Sequence, residues 1–334
     1  MTIRERQERD EEARLSPYAA LSSRSAGRAH PISTCDLRTC YQRDRDRIIH
    51  CKSFRRLKYK TQVFLTPMGD HYRTRLTHTL EVSQVARTLA RSLRLNEDLT
   101  EAAALGHDLG HTPFGHIGES TLNRLLPGGF RHNEQSLRVA ERLENDGQGL
   151  NLCRETLDGI LNHSGQNEPK TLEGWCVRRA DRIAYINHDI DDAIRGGILK
   201  PFELPRRCLS VLGETHGERI DTMIRDIVTT STDQPFVRMS EEVRQASEEL
   251  RAFLFEYVYH DEWRKKEEAR CDYILSALYE HYLAHPEQLP AEYLEINFTE
   301  GAERAVCDFI ACMTDRYAID QFSEIFVPGA FGRR

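Results

Sequence analysis

A helical repeat of apolar residues dominates this sequence and restricts the fold that it can adopt. In the segment HTLEVSQVARTLARSLRL, residues 78–95, apolar residues recur at spacings of three and four: Val82, Val85, Ala86, Leu89 and Leu93. Side chains at these spacings lie on one face of an α-helix. The segment therefore predicts an amphipathic helix with one buried face.

Two further helices have clear ends. NEDLTEAAALGHD predicts a helix that begins after a cap near Asn96, with acidic residues in its first turn. RRADRIAYINHDIDDAI predicts another, which the glycines at 196 and 197 end. The stretches 241–285 and 302–325 also have the pattern of long helices.

Strand signals are few, and the best of them is TQVFL at residues 61–65, which favours at most a short hairpin arm. The sequence therefore predicts an all-α fold in which helices form layers around one core. The 334 residues suffice for a sizeable core in one large domain or two. We expect an N-terminal leader over residues 1–30, loosely ordered, a core domain over 31–200, and a C-terminal helical region over 201–334. Pro201 and Pro205 mark the second boundary.

Composition excludes several classes of protein. The mean hydropathy is -0.59, and no run of about 18 apolar residues predicts a membrane span. The N-terminal stretch is polar and charged, unlike a signal peptide. None of the nine cysteines forms a CxxC pair, which favours reduced thiols and a cytoplasmic protein. The net charge of -7 does not indicate a dedicated nucleic-acid-binding protein.

One basic segment leaves two interpretations open. Residues 37–60 contain nine lysines and arginines against Asp44 and Asp46. They form either a solvated helix face or a surface that binds phosphate, since Arg and Lys are the usual partners of phosphate oxygens.

The most concentrated chemistry lies in GHDLGHTPFGHIGES, residues 106–120. Four groups on or at the ends of predicted helices are candidate metal ligands: His78, His107, Asp108 and Asp181. Imidazole and carboxylate together suit a divalent cation, Mn²⁺ or Mg²⁺ in the first place and Fe²⁺, Zn²⁺ or Ni²⁺ as alternatives. The absence of thiolate argues against a structural zinc site. Four protein ligands would leave an octahedral shell open to water or a substrate oxygen, as catalysis requires.

Further histidines accompany this set. His116 and Glu119 are spaced i, i+3, so the carboxylate could orient the imidazole as an acid/base pair. His132, in GFRHNEQSL, begins another predicted helix. A single histidine is more often structural than functional. However, six of the 14 histidines lie between residues 71 and 132, which favours a shared site.

Two helix faces add candidates for substrate binding. Asp181, Tyr185 and Asp189 are spaced i, i+4, i+8 and share one face, with Arg182 at its edge. The alternative is a solvated face that happens to include a tyrosine. Arg75 lies one turn before His78, where its guanidinium could contact a phosphate oxygen held by the same metal.

The four motifs RTRLTHTLEV, LGHDLGHTPFGHIGE, FRHNEQSLR and RRADRIAYINHDIDDAI resemble, in this order, the HD-domain deoxynucleoside triphosphate triphosphohydrolases. The branch is that of the deoxyguanosinetriphosphate triphosphohydrolase-like proteins. The resemblance runs from about Ser16 to DFIACMTDRYAIDQF, near the end of the sequence. It implies an all-α HD-domain helical core with a C-terminal helical extension. It also implies hydrolysis of a dNTP to a deoxynucleoside and inorganic tripolyphosphate.

The resemblance implies a role for each matching position. The expected metal ligands are His78, His107, Asp108 and Asp181, and the expected catalytic residues are His116, Glu119 and His132. Arg75 matches an arginine on the α-phosphate, and Arg182 stands where related enzymes have a lysine. Tyr185 and Asp189 match residues that contact the deoxyribose and its 3′-hydroxyl, and Gln62 matches a sugar-contacting glutamine. His111 is included among the expected substrate-binding residues.

Two other functions remain as alternatives. One is an HD-type nucleotidase or phosphodiesterase, which would need the metal ligands but not a basic pocket for three phosphates. The other is a module that binds nucleotides or single-stranded nucleic acid, which the basic segment 37–60 permits. The resemblance further implies a homo-oligomer (dimer, tetramer or hexamer), a dNTP effector, and no membrane partner.

Overall fold

The computed structural model describes residues 1–62, 73–257 and 262–328. Within these ranges the regular structure is helical, and extended pairing is limited to two isolated bridges, Arg28 with Cys153 and Thr61 with Thr74. The expected all-α fold is therefore confirmed. Of the expected strand TQVFL, residues 63–65 lie outside the described residues.

The first nine α-helices precede residue 200. They are α1 (Ile3–Arg14), α2 (Cys40–His50), α3 (Lys52–Arg56), α4 (Arg75–Ser92), α5 (Glu97–Gly106), α6 (His116–Leu125), α7 (His132–Arg138), α8 (Arg154–Asn162) and α9 (Leu172–Arg195). A π-helical turn, Val139–Leu143, continues α7.

Seven α-helices follow in the described part of the C-terminal region. They are α10 (Arg206–Leu212), α11 (His216–Ser231), α12 (Glu241–Tyr257), α13 (Glu262–Ala284), α14 (Ala291–Glu300), α15 (Ala302–Cys312) and α16 (Asp315–Phe326). None of the described helices is both long enough and apolar enough to cross a membrane.

Helices α4 and α9 form the centre of the largest hydrophobic cluster. The predicted apolar face of α4 is confirmed, since its four predicted residues and Leu93, which ends the helix, are all buried. It packs against Ile183, Ile186 and Ile190 of α9. The same cluster continues into Met223 on α11 and Leu250 on α12. Residues on both sides of the expected boundary at 200 therefore share one core, and the division there stays a prediction.

The predicted cap at Asn96 and the predicted glycine end of α9 are confirmed, whereas α9 begins at Leu172, six residues before the predicted segment. The side chain of Asn96 accepts a hydrogen bond from the Leu99 N–H at 3.2 Å, which caps α5. At the other end, a Cβ on Gly106 would lie 2.5 Å from Cδ1 of Ile160, so glycine permits the close approach of α8. Helix α9 ends at the glycine pair, where Gly197 has a left-handed φ of 73°.

The expectation of a loosely ordered leader was wrong for residues 3–14, which form α1. A capping box between Thr2 and Glu5 begins this helix, and Arg4 pairs with Glu8 at 2.7 Å. None of its residues is buried, so the helix lacks the apolar repeat that would have predicted it. Local capping and charge pairs form α1 instead.

One of the two long C-terminal helices, 302–325, was also predicted too simply. The stretch 241–285 contains α12 and α13, on either side of residues 258–261, which lie outside the described part. The stretch 302–325 contains α15 and α16, because the chain is extended at Met313 and Thr314. The Thr314 side chain accepts from the N–H of Tyr317 at 3.2 Å and so begins a new helix.

Candidate active site

Three separate segments bring the expected metal ligands together. His78 lies on α4, His107 and Asp108 directly follow α5, and Asp181 lies on α9. The Nε2 atom of His78 is 3.1 Å from Oδ1 of Asp181, and Nε2 of His107 is 3.9 Å from the same oxygen. Possible ligand atoms of His78, His107 and Asp108 all lie within 4.8 Å of one another. The four groups thus form one cluster.

The orientation of His107 fits a metal ligand. Its Nδ1 atom is 2.6 Å from the carbonyl oxygen of Ala104, so Nδ1–H donates there and Nε2 keeps its lone pair. Nε2 is buried and has no hydrogen-bond partner among the described residues. A buried nitrogen left in this state carries a desolvation cost that coordination of a cation would remove. The donor set therefore fits a divalent cation.

Electrostatics keep the two carboxylates ionised. Burial alone would raise the pKa of Asp108, but His107 and the Arg75 guanidinium outweigh burial and hold this pKa well below its usual range. Burial likewise opposes ionisation of Asp181, and the hydrogen bond with His78 and the nearby His107 lower its pKa. Both groups are thus negatively charged near neutral pH, as cation binding requires.

A second group of side chains lies beside this cluster and corrects one expectation. The carboxylate of Glu119 accepts from the backbone N–H of His132 at 2.8 Å and lies 2.9 Å from its Nδ1. Nδ1 of His116 is 3.9 Å from Glu119, which is too long for a hydrogen bond. His116 is 63% exposed at the start of α6. Glu119 therefore orients His132 in this structure and not His116.

The Glu119–His132 pair is strongly polarised. Burial opposes charge on both groups, yet the nearby His116 and His132 lower the pKa of Glu119, and the hydrogen bond with Glu119 raises the pKa of His132. His132 also stacks on His111 with ring centroids 4.9 Å apart. Both ring nitrogens of His111 are buried without a hydrogen-bond partner in the described structure, and burial lowers its pKa.

Two histidines of the site were missed by the sequence analysis. His163 follows α8, and its Nε2 is 3.2 Å from Nε2 of His132. Burial lowers the pKa of His163 to about 3, so this imidazole is neutral. It stands outside any recognisable motif, and only the packing of α8 on α7 and α9 brings it here.

The other missed histidine, His188 on α9, had a sequence signal. It is seven residues after Asp181, a spacing that places it on the same helix face. Its ring lies 5.8 Å from that of His78, and its Nδ1 is 3.3 Å from Oε2 of Glu81. Burial lowers the pKa of His188 to about 2.

Arg75 is buried and has several partners inside the protein. Nη1 is 2.9 Å from Oδ2 of Asp108. Nε donates to the carbonyl oxygen of Thr61 at 3.2 Å, and Nη2 donates to that of Gln62 at 3.1 Å. The side-chain Oε1 of Gln62 is buried without a hydrogen-bond partner among the described residues. Arg75 thus borders the metal-ligand cluster, and its expected phosphate contact stays a prediction.

The predicted face of α9 extends away from the cluster. Tyr185 is half-buried, and burial raises its pKa to about 12 despite the nearby charges of Arg251 and Arg182. Asp189 is fully buried. Arg182 is half-buried and has no hydrogen bond or ion pair within the described residues. The face is therefore not the solvated surface of the alternative interpretation.

Many cations of the basic segment 37–60 have partners within the chain. Arg38 pairs with Asp46 at 2.6 Å, and Arg45 lies 3.3 Å from Glu101. Arg47 donates to the carbonyl oxygen of Leu150 at 2.8 Å. Three cations of the segment are thus occupied by partners within the chain, whereas residues 55 and 58 are exposed.

Comparison with known proteins identifies the family. An HD domain model matches residues 75–186, and a phosphohydrolase-associated domain model matches residues 237–324. A deoxyguanosinetriphosphate triphosphohydrolase-like protein of Caldanaerobacter subterraneus subsp. tengcongensis is 58% identical over 98% of this chain and 97% of its own length. The chain belongs to the deoxyguanosinetriphosphate triphosphohydrolase-like family. Relatives of the same description include one from Clostridium perfringens strain 13, 51% identical over 98% of each chain.

Membership of this HD-domain family makes the chain a phosphohydrolase. The fold is similar to that in a crystal structure of a phosphohydrolase from Bacteroides thetaiotaomicron. The match covers 84% of this chain and 67% of that chain, with a TM-score of 0.50 and 19% sequence identity. At that identity the likeness shows the fold alone. The family and the His/Asp cluster together support binding of a divalent metal.

Proposed function

We propose that this protein hydrolyses dNTPs to a deoxynucleoside and inorganic tripolyphosphate and so controls dNTP pools. The cluster of His78, His107, Asp108 and Asp181 holds the divalent metal, Mn²⁺ or Mg²⁺. The observation that carries the proposal is the position of this cluster, directly beside both Arg75 and the Glu119–His132 pair. Family membership supports a nucleoside triphosphate as the substrate.

In this proposal, water attacks the α-phosphorus, a new P–O bond forms, and the bond to the 5′-oxygen breaks. A divalent cation, when bound, acidifies water and polarises a phosphoryl oxygen. The protein's own cations oppose the charge that develops on the phosphate oxygens. Arg75 borders the cluster and Arg182 lies beside Asp181 on α9. The hydrogen bond with Glu119 raises the pKa of His132 although burial opposes this, which favours a positive charge there.

His116 supplies the proton to the departing 5′-oxygen. It is exposed at the first turn of α6, and its ring centroid lies 6.0 Å from that of His111. Because its imidazole makes no hydrogen bond to Glu119, it is open to contact a substrate oxygen. A positioned histidine of this kind typically contributes roughly 100- to 10,000-fold to the rate.

The face of α9 selects the sugar. Tyr185 packs against the deoxyribose where a ribose would carry its 2′-hydroxyl, so that ribonucleotides are rejected by a clash. Asp189, four residues further along the same face, accepts a hydrogen bond from the 3′-hydroxyl, and Gln62 also contacts the sugar. His111 lines the site between His116 and His132.

The variant His116→Ala separates an enzyme from a binding module. We expect dNTP hydrolysis to fall at least about 100-fold, whereas dNTP binding stays within about threefold of the wild type, because His116 acts in the transition state. The matched control is His285→Ala, which removes an exposed histidine paired with Glu287 in the C-terminal region. Unchanged hydrolysis by His116→Ala would contradict the role of His116. Tight binding without hydrolysis in the wild type would favour the binding module.

A further inference from the structure

One carboxylate of the C-terminal region joins two segments of the candidate site. Asp315 is the first residue of α16. Its Oδ1 accepts from the backbone N–H of Phe114 at 2.9 Å, and its Oδ2 accepts from the backbone N–H of Thr61 at 2.9 Å. Oδ2 also accepts from the Thr61 hydroxyl. Asp315 thus binds segments that are 254 and 201 residues away in the sequence.

The first of these segments places His116. Phe114 has a φ of 59°, in the left-handed region that non-glycine residues rarely adopt, and Gly115 follows with a φ of 60°. Helix α6 begins directly after them with His116. A hydrogen bond from the Phe114 N–H to a carboxylate is charge-assisted and stabilises this unfavourable turn.

The second segment orients Arg75. The carbonyl oxygens of Thr61 and Gln62 accept from the Arg75 guanidinium, whose Nη1 lies against Asp108. The two segments also touch each other, since a Cβ on Gly115 would lie 3.0 Å from the Gln62 carbonyl oxygen. A displacement of either segment would therefore reach both Arg75 and the start of α6.

A second contact ties the same three parts of the chain together. The Lys60 ammonium is buried and donates to the carbonyl oxygen of His111 and, at 2.8 Å, to that of Ala311. Ala311 lies four residues before Asp315, in the last turn of α15. The break between α15 and α16 thus presents one acceptor to Lys60 and a carboxylate to the two site segments.

We propose that Asp315 is a positioning residue, which fixes the Phe114–Gly115 turn and the Thr61–Gln62 carbonyls so that His116 and Arg75 face one substrate. It acts only through these residues and does not contact the substrate. The expected effect of Asp315 on dNTP hydrolysis rests on the proposed function. Its effect on the order of the Phe114–Gly115 and Thr61–Gln62 segments does not depend on that function.

The test uses Asp315→Asn and Asp315→Ala in the full-length protein. Asn preserves the shape of the side chain but turns an NH₂ group towards one of the two N–H donors. The matched control is Asp320→Asn on the same helix, where the side chain is 63% exposed and lies 3.7 Å from Arg316. Thr61→Val removes only the hydroxyl and leaves the Phe114 contact in place.

The first readout is hydrogen–deuterium exchange in the substrate-free protein. Both Asp315 variants should speed exchange in peptides that cover 111–118 and 60–62, with peptides of α9 and of α4 beyond its first turn unchanged. Thr61→Val should affect 60–62 alone, and Asp320→Asn should affect neither. Faster exchange throughout the protein, or none in these two segments, would overturn the proposal.

The second readout is dNTP hydrolysis. We expect kcat to fall roughly 10- to 100-fold in the Asp315 variants, because small misplacements of reacting groups have effects of this size. KM should change less than kcat, since Tyr185 and Asp189 on α9 keep their sugar contacts even where the segment of Gln62 is displaced. A rise in KM with kcat unchanged would overturn the positioning role. If the wild type hydrolyses no dNTP, the proposed function fails, while the exchange experiment still decides whether Asp315 holds the two segments.

Discussion

At the scale of single residues, Asp108 combines two roles. It is one of the clustered candidate ligands, and it is the carboxylate that pairs with Arg75 at 2.9 Å. In the absence of Asp108 the cluster loses a hard oxygen donor, and Arg75 keeps a buried charge with only carbonyl oxygens for partners. The residue thus links the metal site to the expected phosphate site.

We predict that Asp108→Ala and His107→Ala each remove the bound metal and lower turnover by roughly 100-fold or more, because the cation supplies several kcal/mol of transition-state stabilisation. Metal content is measured by mass spectrometry of the purified proteins, and turnover by dNTP hydrolysis at saturating Mn²⁺. Asp320→Ala serves as the control. Full turnover by metal-replete Asp108→Ala would contradict the assignment of Asp108 as a metal ligand.

The sequence predicted most of the clustered histidines and carboxylates because their types and spacing are unusual. It did not predict which groups pair. Glu119 is three residues from His116 in sequence, yet it binds His132, 13 residues away, because the chain turns back between α6 and α7. The spacing of His116 and Glu119 along one helix predicts only that they lie close together. The loop between α6 and α7 brings His132 to Glu119 instead. His163 was missed for the same reason.

At the scale of elements, α9 carries a candidate metal ligand, Asp181, and the residues expected to contact the sugar further along. Three of its site residues, Asp181, Tyr185 and Asp189, follow from its regular geometry. This is why the sequence analysis could place them on one face. Its packing against α4 fixes the rotation of that face, since the apolar stripe of α9 is buried in the core.

We predict that Asp189→Ala raises KM for dNTPs by roughly tenfold, the loss expected for a hydrogen bond to a charged group. The control is a 2′,3′-dideoxynucleoside triphosphate, which lacks the 3′-hydroxyl. The wild type should bind this analogue about as weakly as Asp189→Ala binds a dNTP, and the variant should not distinguish the two. Equal KM values for dNTPs in the variant and the wild type would remove the 3′-hydroxyl role.

Other elements were less predictable. Helices α4, α5 and α9 have apolar stripes or caps that the sequence shows directly. Helix α1 has no buried residue, so its formation rests on a capping box and charge pairs. The break between α15 and α16 has neither glycine nor proline, and only the cap at Thr314 indicates it. The apolar repeat alone therefore predicted one helix over residues 302–325, where the structure has α15 and α16.

At the scale of the whole molecule, the N-terminal and C-terminal parts of the chain are joined through the site. The largest hydrophobic cluster extends from α4 to α12. Asp315 and the carbonyl oxygen of Ala311 contact the segments that carry Thr61 and His111. The C-terminal helical region therefore contacts the candidate site directly. A homo-oligomer and a dNTP effector stay predictions.

The buried Lys60, which contacts the carbonyl oxygens of His111 and Ala311, makes the free energy of folding dependent on pH. Burial lowers the pKa of Lys60 to about 8 in the folded protein, from an ordinary value of 10.5. Between these values the unfolded chain binds more protons, so this group makes folding more favourable as pH rises from about 8 to about 10.5. The gain is at most about 3 kcal/mol, from about 1.4 kcal/mol for each unit of pKa difference.

We therefore predict that the free energy of unfolding of the wild type, relative to that of Lys60→Met, increases between pH 8 and pH 10. Urea unfolding of both proteins at several pH values measures the difference, and the subtraction cancels the other titrating groups. Lys58→Met, which replaces an exposed lysine, is the control. A difference that is constant or falls over this range would contradict the lowered pKa.

The most direct test of the central claim is the identity of the products. The purified protein would be incubated with Mn²⁺ in ¹⁸O-labelled water, with all four dNTPs together and with each one omitted in turn. The products would be separated by anion-exchange chromatography, and their masses would be measured by mass spectrometry. We predict deoxynucleosides and tripolyphosphate, with the ¹⁸O in the tripolyphosphate. Deoxynucleoside monophosphates with pyrophosphate, orthophosphate alone, or no product under any mixture would contradict this account.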